Sequence, residues 1–229
     1  MMNEYYQFLA SLNAITNLER RMLKVSRILN LNDLFELRPY LRVNRTKRSK
    51  LEEIRKKAAT IYGMVCFSNN WHEPLLWGHY AERNKGIALG FEIISSKYRI
   101  QQVTYPTERD DPFGENIDNI SVDEYICALG YKKYKNWSYE NEYRFFIKLN
   151  ECVNIEGNYF IKYGNDLKLT KVLIGPEHPY KNKDNYSDTA KYIVELVRDA
   201  GAELIVTRPE YQGYNIIKDT KWTKRLQDL

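Results

Sequence analysis

Two glutamates and an arginine occupy alternate positions in an aromatic-rich stretch of the chain, residues 137–146. We predict a β-strand here, which places Glu140, Glu142 and Arg144 on one face because successive side chains point to opposite faces. Neighbouring carboxylates raise the pKa of one another, which suits general acid–base catalysis. Arg144, and Lys133 slightly earlier, have the charge needed to bind a pyrophosphate. The stretch is therefore the predicted catalytic centre, with Glu142 and Glu140 as its catalytic residues.

A structural interpretation of the same residues stays open. A buried charge needs a partner, and Arg144 with two acids meets that need without any ligand. In this alternative the three side chains form an ion-pair cluster that braces a sheet.

Two further pairs of residues are candidates for ligand binding. Trp77 and Tyr80 are three positions apart in a predicted helix, hence on one face, where their rings could stack on a ligand. Asn32 and Asp33 lie in a predicted turn, where their side chains could hydrogen-bond it. Core packing is the alternative for the first pair, and a structural turn is the alternative for the second.

Composition limits the classes of protein that fit. The 229 residues are 43% hydrophobic, which is enough for one domain with a substantial core. Three cysteines without CxxC spacing and only three histidines argue against disulfides and against a metal site. The chain shows no signal peptide and no apolar run of membrane-spanning length, so we expect a cytoplasmic protein without membrane contact.

Basic residues are concentrated in residues 38–57. The net charge of +5 is compatible with an anionic ligand but too small to identify a nucleic-acid-binding protein. A helix is predicted over this segment, with apolar residues on one face and cations on the other. That charged face is either a solvated surface or a contact for nucleic acid or an acidic protein partner.

Hydrophobic periodicity predicts how these residues are positioned. Short strands and helices alternate without repeats or linkers, so we predict one α+β domain over residues 1–229, with a mixed, mostly antiparallel sheet and flanking helices. Helices are predicted over 121–134 and 187–200, the second capped by Ser187. A loop is predicted over 110–119.

Three blocks of sequence resemble one bacterial family. Asn32-Asp33-Leu34-Phe35-Glu36 is similar to its NDPFE block, with Leu34 in place of proline. Cys66-Phe67-Ser68 with Trp77-Gly78-His79-Tyr80 and Lys85-Gly86 is similar to its second block. Lys133, Trp137, Glu140, Glu142 and Arg144 are similar to its third. The chain thus resembles the DUF2971-type proteins, often found beside phage-defence genes, over most of residues 5 to 175.

The resemblance carries functional expectations. The family's layout is similar to ADP-ribosyltransferase-like folds, in which a late strand carries the key glutamate. It implies an effector that uses NAD, within anti-phage defence or a toxin–antitoxin system with a cognate partner. Glu142 and Glu140 would stabilise the cation-like ribose, and Arg144 or Lys133 would hold the pyrophosphate. The alternative is a non-enzymatic protein that contacts nucleic acid or a partner through residues 38–57.

Overall fold

The structure, a computed structural model, describes residues 4–38, 45–109, 111–114, 117, 119–179 and 188–229. The strands are β1 (Glu4–Leu9), β2 (Met22–Arg27), β3 (Tyr62–Ser68), β4 (Ile87–Ile93), β5 (Gln101–Gln102), β6 (Glu142–Lys148), β7 (Val153–Ile155), β8 (Asn158–Lys162), β9 (Leu167–Ile174), β10 (Glu203–Pro209) and β11 (Ile216–Lys218). The helices are α1 (Ser11–Arg20), α2 (Arg45–Ile61), α3 (Pro74–Tyr80), α4 (Val122–Leu129), α5 (Asp188–Asp199) and α6 (Thr220–Gln227). Short 3-10 helices cover Ile28–Asn30, Lys135–Glu140 and Leu149–Glu151.

Strand pairing is mixed and mostly antiparallel. The pairs β1–β4, β4–β9, β2–β3, β5–β6, β7–β8 and β10–β11 are antiparallel, whereas β9–β10 is parallel. Both helices and strands are distributed along the chain, so the predicted α+β class is confirmed. The described parts of residues 1–23, 67–98 and 162–229 form one compact unit, and those of 24–66 and 99–161 form a second. The extent of the predicted domain over residues 1–229 stays a prediction.

The first unit is built on β4, which pairs with β1 on one side and with β9 on the other. Strands β10 and β11 extend the sheet beyond β9. Helix α5 buries Ala190, Ile193, Val194 and Val197, the stripe that its periodicity predicts. Its predicted cap, Ser187, lies outside the described residues. The core of this unit includes a cluster of buried apolar residues, namely Tyr6, Trp77, Ala81, Ala88, Leu173, Ile205 and Ile216.

In the second unit, helices α2 and α4 pack together with the strands. Ser121 caps α4, accepting from the Glu124 backbone N–H while the Glu124 carboxylate accepts from the Ser121 backbone N–H. The predicted loop at 110–119 lies partly outside the described residues. The core includes a cluster of buried side chains from both helices, from β3 and from the segments between elements, namely Ile28, Leu37, Leu51, Ala58, Ala59, Met64, Ile117, Tyr125, Ile126 and Leu129.

Helix α4 ends earlier than predicted. Its last residue is Leu129 rather than Tyr134, and Gly130 follows as the C-terminal cap. A Cβ at Gly130 would lie 2.7 Å from the ring of Phe146, so this close approach requires glycine. The carbonyl of Gly130 then accepts a hydrogen bond from Arg144. Residues 131–134 are thus released from the helix and run beside the ligand-sized cavity described below.

The prediction of one strand over residues 137–146 is wrong in its first half. Lys135–Glu140 forms a 3-10 helix, Asn141 adopts a left-handed conformation with φ of 41°, and β6 begins at Glu142. Asparagine tolerates that conformation better than most residues because its short polar side chain hydrogen-bonds locally. Glu142 and Arg144 do share the buried face of β6, whereas Glu140 reaches them from the preceding turn.

Candidate functional site

Arg144 lies at the centre of a buried ionic cluster in the second unit. Its side chain is 0% exposed, and its Nη2 lies 2.7 Å from a carboxylate oxygen of Glu142. Its Nη1 forms an ion pair with Glu36 and also donates to the Gly130 carbonyl at 3.3 Å. The guanidinium therefore joins β6 to the end of α4 and to the segment that follows β2.

Lys133 is the second cation of the cluster. Its Nζ lies 2.5 Å from Glu140 and 3.3 Å from Glu142, and all three side chains are at most 7% exposed. The ammonium also lies 4.8 Å from the centre of the Trp137 ring. Lys133 is thus held by two carboxylates and one aromatic face.

The cluster contains one more acid than base. Glu36, Glu140 and Glu142 face Lys133 and Arg144, so full ionisation would leave one buried negative charge. Although burial opposes ionisation, the charges of Arg144 and Lys133 lower the pKa of Glu142 to about 2. Burial raises the pKa of Glu36 and outweighs the attraction of Arg144. The charges of Arg144 and Lys133 therefore favour the ionised form of Glu142, whereas burial favours the protonated form of Glu36.

Cys66 lies beside this cluster as a neutral group. Burial, and then the charge of Glu142, raises the pKa of its thiol well above the usual value. The thiol hydrogen-bonds to Glu142 and contributes to the low pKa of that carboxylate. A thiol that stays protonated is a poor nucleophile, so Cys66 contributes hydrogen bonding rather than covalent chemistry.

A cavity of about 370 Å³ lies next to the cluster, entirely within the second unit. Lys133 is the residue that the cavity lining shares with the cluster. Glu140 and Glu142 are not among the described residues that line it. The lining comes from three segments of chain, namely Phe35, Leu37 and Arg38, then Pro106, Thr107, Glu108 and Arg109, then Leu129, Lys132, Lys133 and Tyr134.

The lining combines cations with aromatic rings. Four of its eleven side chains are Arg or Lys, and Glu108 is the one acid among the described lining residues. The Arg109 guanidinium lies 5.1 Å from the centre of the Phe35 ring and donates to the Arg38 carbonyl at 2.7 Å. Tyr134 is 44% exposed. The cavity therefore suits an anionic ligand that also carries an apolar or aromatic group.

The structure places the other predicted site residues as follows. Trp77 is 0% exposed in the core of the first unit, where its Nε1 donates to the Trp71 carbonyl at 2.7 Å. Tyr80 ends α3 in the same unit and is half-buried. Asp33 is buried and one of its oxygens accepts from the Phe35 backbone N–H at 2.8 Å, whereas Asn32 is exposed. The ligand-binding roles of these residues stay predictions.

Sequence reasoning missed most of the cavity. Glu36, Arg109 and Lys132 were not predicted as site residues, and neither were the rings of Phe35 and Tyr134. Arg38 was predicted only as part of the basic segment 38–57. The available signal was local: Phe35 and Glu36 belong to the Asn32–Glu36 block that motivated the family resemblance. Glu36 meets Arg144 from 108 positions away, which periodicity does not reveal.

The basic segment at 38–57 is described from Arg45 onward as α2, and at Arg38, while residues 39–44 lie outside the described residues. Two of its cations are buried: Lys47 forms an ion pair with Asp111 at 2.6 Å, and Arg55 donates to the Ile28 carbonyl at 3.4 Å. The helix still exposes five cations, namely Arg45, Arg48, Lys50, Lys56 and Lys57.

Comparisons with known proteins bear on the family alone. The family model described as Protein of unknown function (DUF2971) matches residues 76–145. The matched stretch contains α3, α4 and the residues Lys133, Glu140, Glu142 and Arg144, and it supports the family assignment that the motifs predict. Searches of curated proteins and of solved structures found no match.

The described residues contain neither a candidate metal site nor a membrane-spanning helix. Among them, no three His, Cys, Asp or Glu side chains are grouped so that they could hold a metal ion. In the same part of the chain, no helix is long and apolar enough to cross a membrane.

Proposed function

We propose that this protein binds a nucleotide-class anion, with NAD as the first candidate, in the cavity of the second unit. The observation that carries the proposal is the grouping of Arg38, Arg109, Lys132 and Lys133 with two aromatic rings around about 370 Å³. That volume lies within the roughly 300–1,000 Å³ of typical small-molecule sites. Phosphates pair with guanidinium and ammonium groups, and a base or nicotinamide ring stacks on aromatic side chains.

Transfer of ADP-ribose from NAD is the reaction that we propose for this site. It breaks the bond between nicotinamide and ribose through a cation-like sugar, which a nearby carboxylate stabilises. Nicotinamide leaves, and the ribose carbon bonds to a nucleophilic atom of an acceptor or of water. Glu142 suits that role because its low pKa keeps it ionised. Glu142 is buried and is not among the described lining residues, so the proposed reaction requires Lys133, which lines the cavity, to turn from Glu142 towards the ligand's phosphates. The 3.3 Å contact with Glu142 is the longer of the two that Lys133 makes to carboxylates.

Binding and reaction are tested separately. Calorimetric titration with NAD measures binding, and chromatographic detection of free nicotinamide measures the reaction. We expect Glu142→Gln to abolish nicotinamide release while NAD still binds. Release at the wild-type rate by folded Glu142→Gln contradicts the catalytic role, whereas absence of binding at millimolar NAD contradicts the proposal as a whole.

A nucleic-acid interface on α2 is the second candidate function. The five exposed cations of this helix support it, since phosphate contacts come chiefly from Lys and Arg. Replacement of Arg45 and Arg48 by Glu should then weaken binding of a DNA or RNA duplex and flatten its salt dependence. Lys47 is left unchanged because its ion pair with Asp111 is structural. Equal binding by wild type and variant at low salt excludes this interface.

The biological setting is a proposal that rests on the family resemblance. It places the protein in a bacterial cytoplasm, as a defence or toxin–antitoxin effector with a cognate partner. Expression of the wild-type chain in bacteria should then arrest growth, and Glu142→Gln should relieve the arrest at equal protein level. Growth arrest by both chains removes the support for an NAD-consuming effector.

A further inference from the structure

One wall of the cavity is a short segment of irregular chain, residues 35–38, here called the cavity wall. Phe35, Leu37 and Arg38 line the cavity, whereas Glu36 points its carboxylate at Arg144 in the ionic cluster. Adjacent residues of the wall thus face two different sites, the cavity and the ionic cluster. The position of the lining side chains depends on how this segment is fixed.

The wall contains an unusual backbone conformation at Leu37. Its φ is 55°, in the left-handed region, and its side chain is 2% exposed. A bulky residue without a local polar side chain rarely adopts this conformation, because its Cβ is crowded against the backbone. Such strain persists only where surrounding contacts determine it, and it is concentrated at binding and catalytic sites.

Three side chains outside the lining contact the wall, and one of them is Asp33, which accepts from the Phe35 backbone N–H at 2.8 Å. The other two lie next to the strained residue. Glu36 forms a buried ion pair with Arg144 of β6. The Tyr125 hydroxyl, on α4, donates to the Leu37 carbonyl at 2.5 Å. Tyr125 is 1% exposed, so this bond replaces one that the carbonyl would otherwise make to water. One contact is made by the residue before Leu37 and the other by the carbonyl of Leu37, so the wall is fixed before and after the strained φ angle.

We infer that Glu36 and Tyr125 are positioning residues for the ligand cavity, holding the wall so that Phe35 and Arg38 face the bound anion. The inference rests on the proposed function, since it assumes that the cavity binds a ligand. Neither residue is among the described lining residues, so neither needs to touch the ligand. Loss of either contact lets Leu37 relax to an unstrained conformation, which moves the side chains on both sides of it.

The expected effect follows from the population of the competent wall. Apparent affinity falls by the fraction of molecules in which the wall has the binding conformation. If removal of one contact leaves the wall competent about one-tenth of the time, binding weakens about tenfold. The overall fold is expected to survive, because Lys133 and Arg144 keep their contacts with Glu140 and Glu142.

The test measures the affinity for ADP, a probe with one aromatic base and a diphosphate. Glu36→Met keeps the side-chain length but removes both oxygens, and Tyr125→Phe removes only the hydroxyl. Glu36→Gln keeps an oxygen for Arg144 and should bind within about twofold of wild type, as a conservative rescue. Tyr62→Phe is the matched control, since it removes a hydroxyl bond in the same unit that goes to Asp123 and not to the wall.

We expect about tenfold weaker ADP binding by Glu36→Met and by Tyr125→Phe, with Tyr62→Phe unchanged. Wild-type affinity in either folded variant overturns the inference. If circular dichroism shows that Glu36→Met is unfolded, Tyr125→Phe decides alone. Failure of wild-type protein to bind either ADP or NAD contradicts the proposed function itself and is thereby distinguished from failure of the positioning role.

Discussion

Replacement of Lys133 by methionine tests the energetics of the buried cluster. Methionine keeps most of the side-chain volume but leaves Glu140 and Glu142 without the ammonium that now lies 2.5 and 3.3 Å away. Breaking a buried pair by removing one partner typically costs about 3–5 kcal/mol, because the remaining charge is uncompensated. The pKa of Glu142 gives a similar scale: its fall from 4.5 to about 2 corresponds to roughly 3 kcal/mol at neutral pH, shared between Arg144 and Lys133.

The sign of the pH dependence follows from the direction of that shift. A carboxyl whose pKa is lowered on folding contributes stability that is fully present above 4.5 and is lost as the pH falls towards 2. In Lys133→Met the pKa of Glu142 is lowered less, so less stability remains to be lost in acid. The difference in stability between wild type and variant is therefore largest at neutral pH and narrows below pH 4.5.

Urea denaturation at pH 7 and at pH 3.5 measures this difference. Lys135→Met, an exposed neighbour outside the cluster, is the control and should cost less than about 0.5 kcal/mol. A loss below about 1 kcal/mol for Lys133→Met at pH 7, or a difference that does not narrow in acid, refutes the energetic role assigned to Lys133.

Three further outcomes follow from buried contacts. The raised pKa of Glu36 makes wild-type stability fall as the pH rises above 4.5. In Glu36→Gln, the free energy of unfolding measured with urea should therefore depend less on pH in this range. The same pH dependence in both proteins contradicts the titration of Glu36. Trp77→Ala should lower the free energy of unfolding by about 3–5 kcal/mol, measured with heat or urea, because Trp77 fills the first unit's core. Trp77→Phe should cost less stability and leave NAD affinity unchanged. Loss of NAD affinity in Trp77→Phe would instead support the predicted stacking. Lys47→Met should lower the free energy of unfolding by about 1–3 kcal/mol, because Asp111 loses its ion-pair partner. Arg48 is exposed on the same helix, so Arg48→Met is the control and should change stability by near zero. Equal losses in the two variants contradict a structural role for Lys47.

The sequence allowed prediction of elements whose signals are local. The helices predicted over 187–200 and over the basic segment 38–57 follow from periodicity and correspond to α5 and α2, which begin and end at other residues. The convergence of Glu140, Glu142, Arg144 and Lys133 was also predictable, because charges are rare in an apolar strand unless they meet partners.

The remainder depended on tertiary contacts. The alternation of polar and aromatic residues over 137–141 fits a strand, whereas the structure has a 3-10 helix that ends at the left-handed Asn141. Glu36 is brought to Arg144 by the fold, and the cavity needs three segments that are distant in sequence. The predicted cluster of Arg144 with Glu140 and Glu142 therefore missed Glu36, which also connects the cluster to the cavity wall.

The most direct test of the central claim is calorimetric titration with NAD of three proteins. They are the wild type, a double variant with Arg38→Gln and Lys132→Gln, and a double variant with Arg45→Gln and Arg48→Gln. Each pair removes two positive charges, but only the first pair lines the cavity. We expect wild type and the α2 variant to bind NAD alike, and the cavity variant to lose about 2 kcal/mol or more, hence over tenfold in affinity. Equal NAD binding by all three proteins, or none by wild type at millimolar NAD, contradicts a nucleotide site in this cavity.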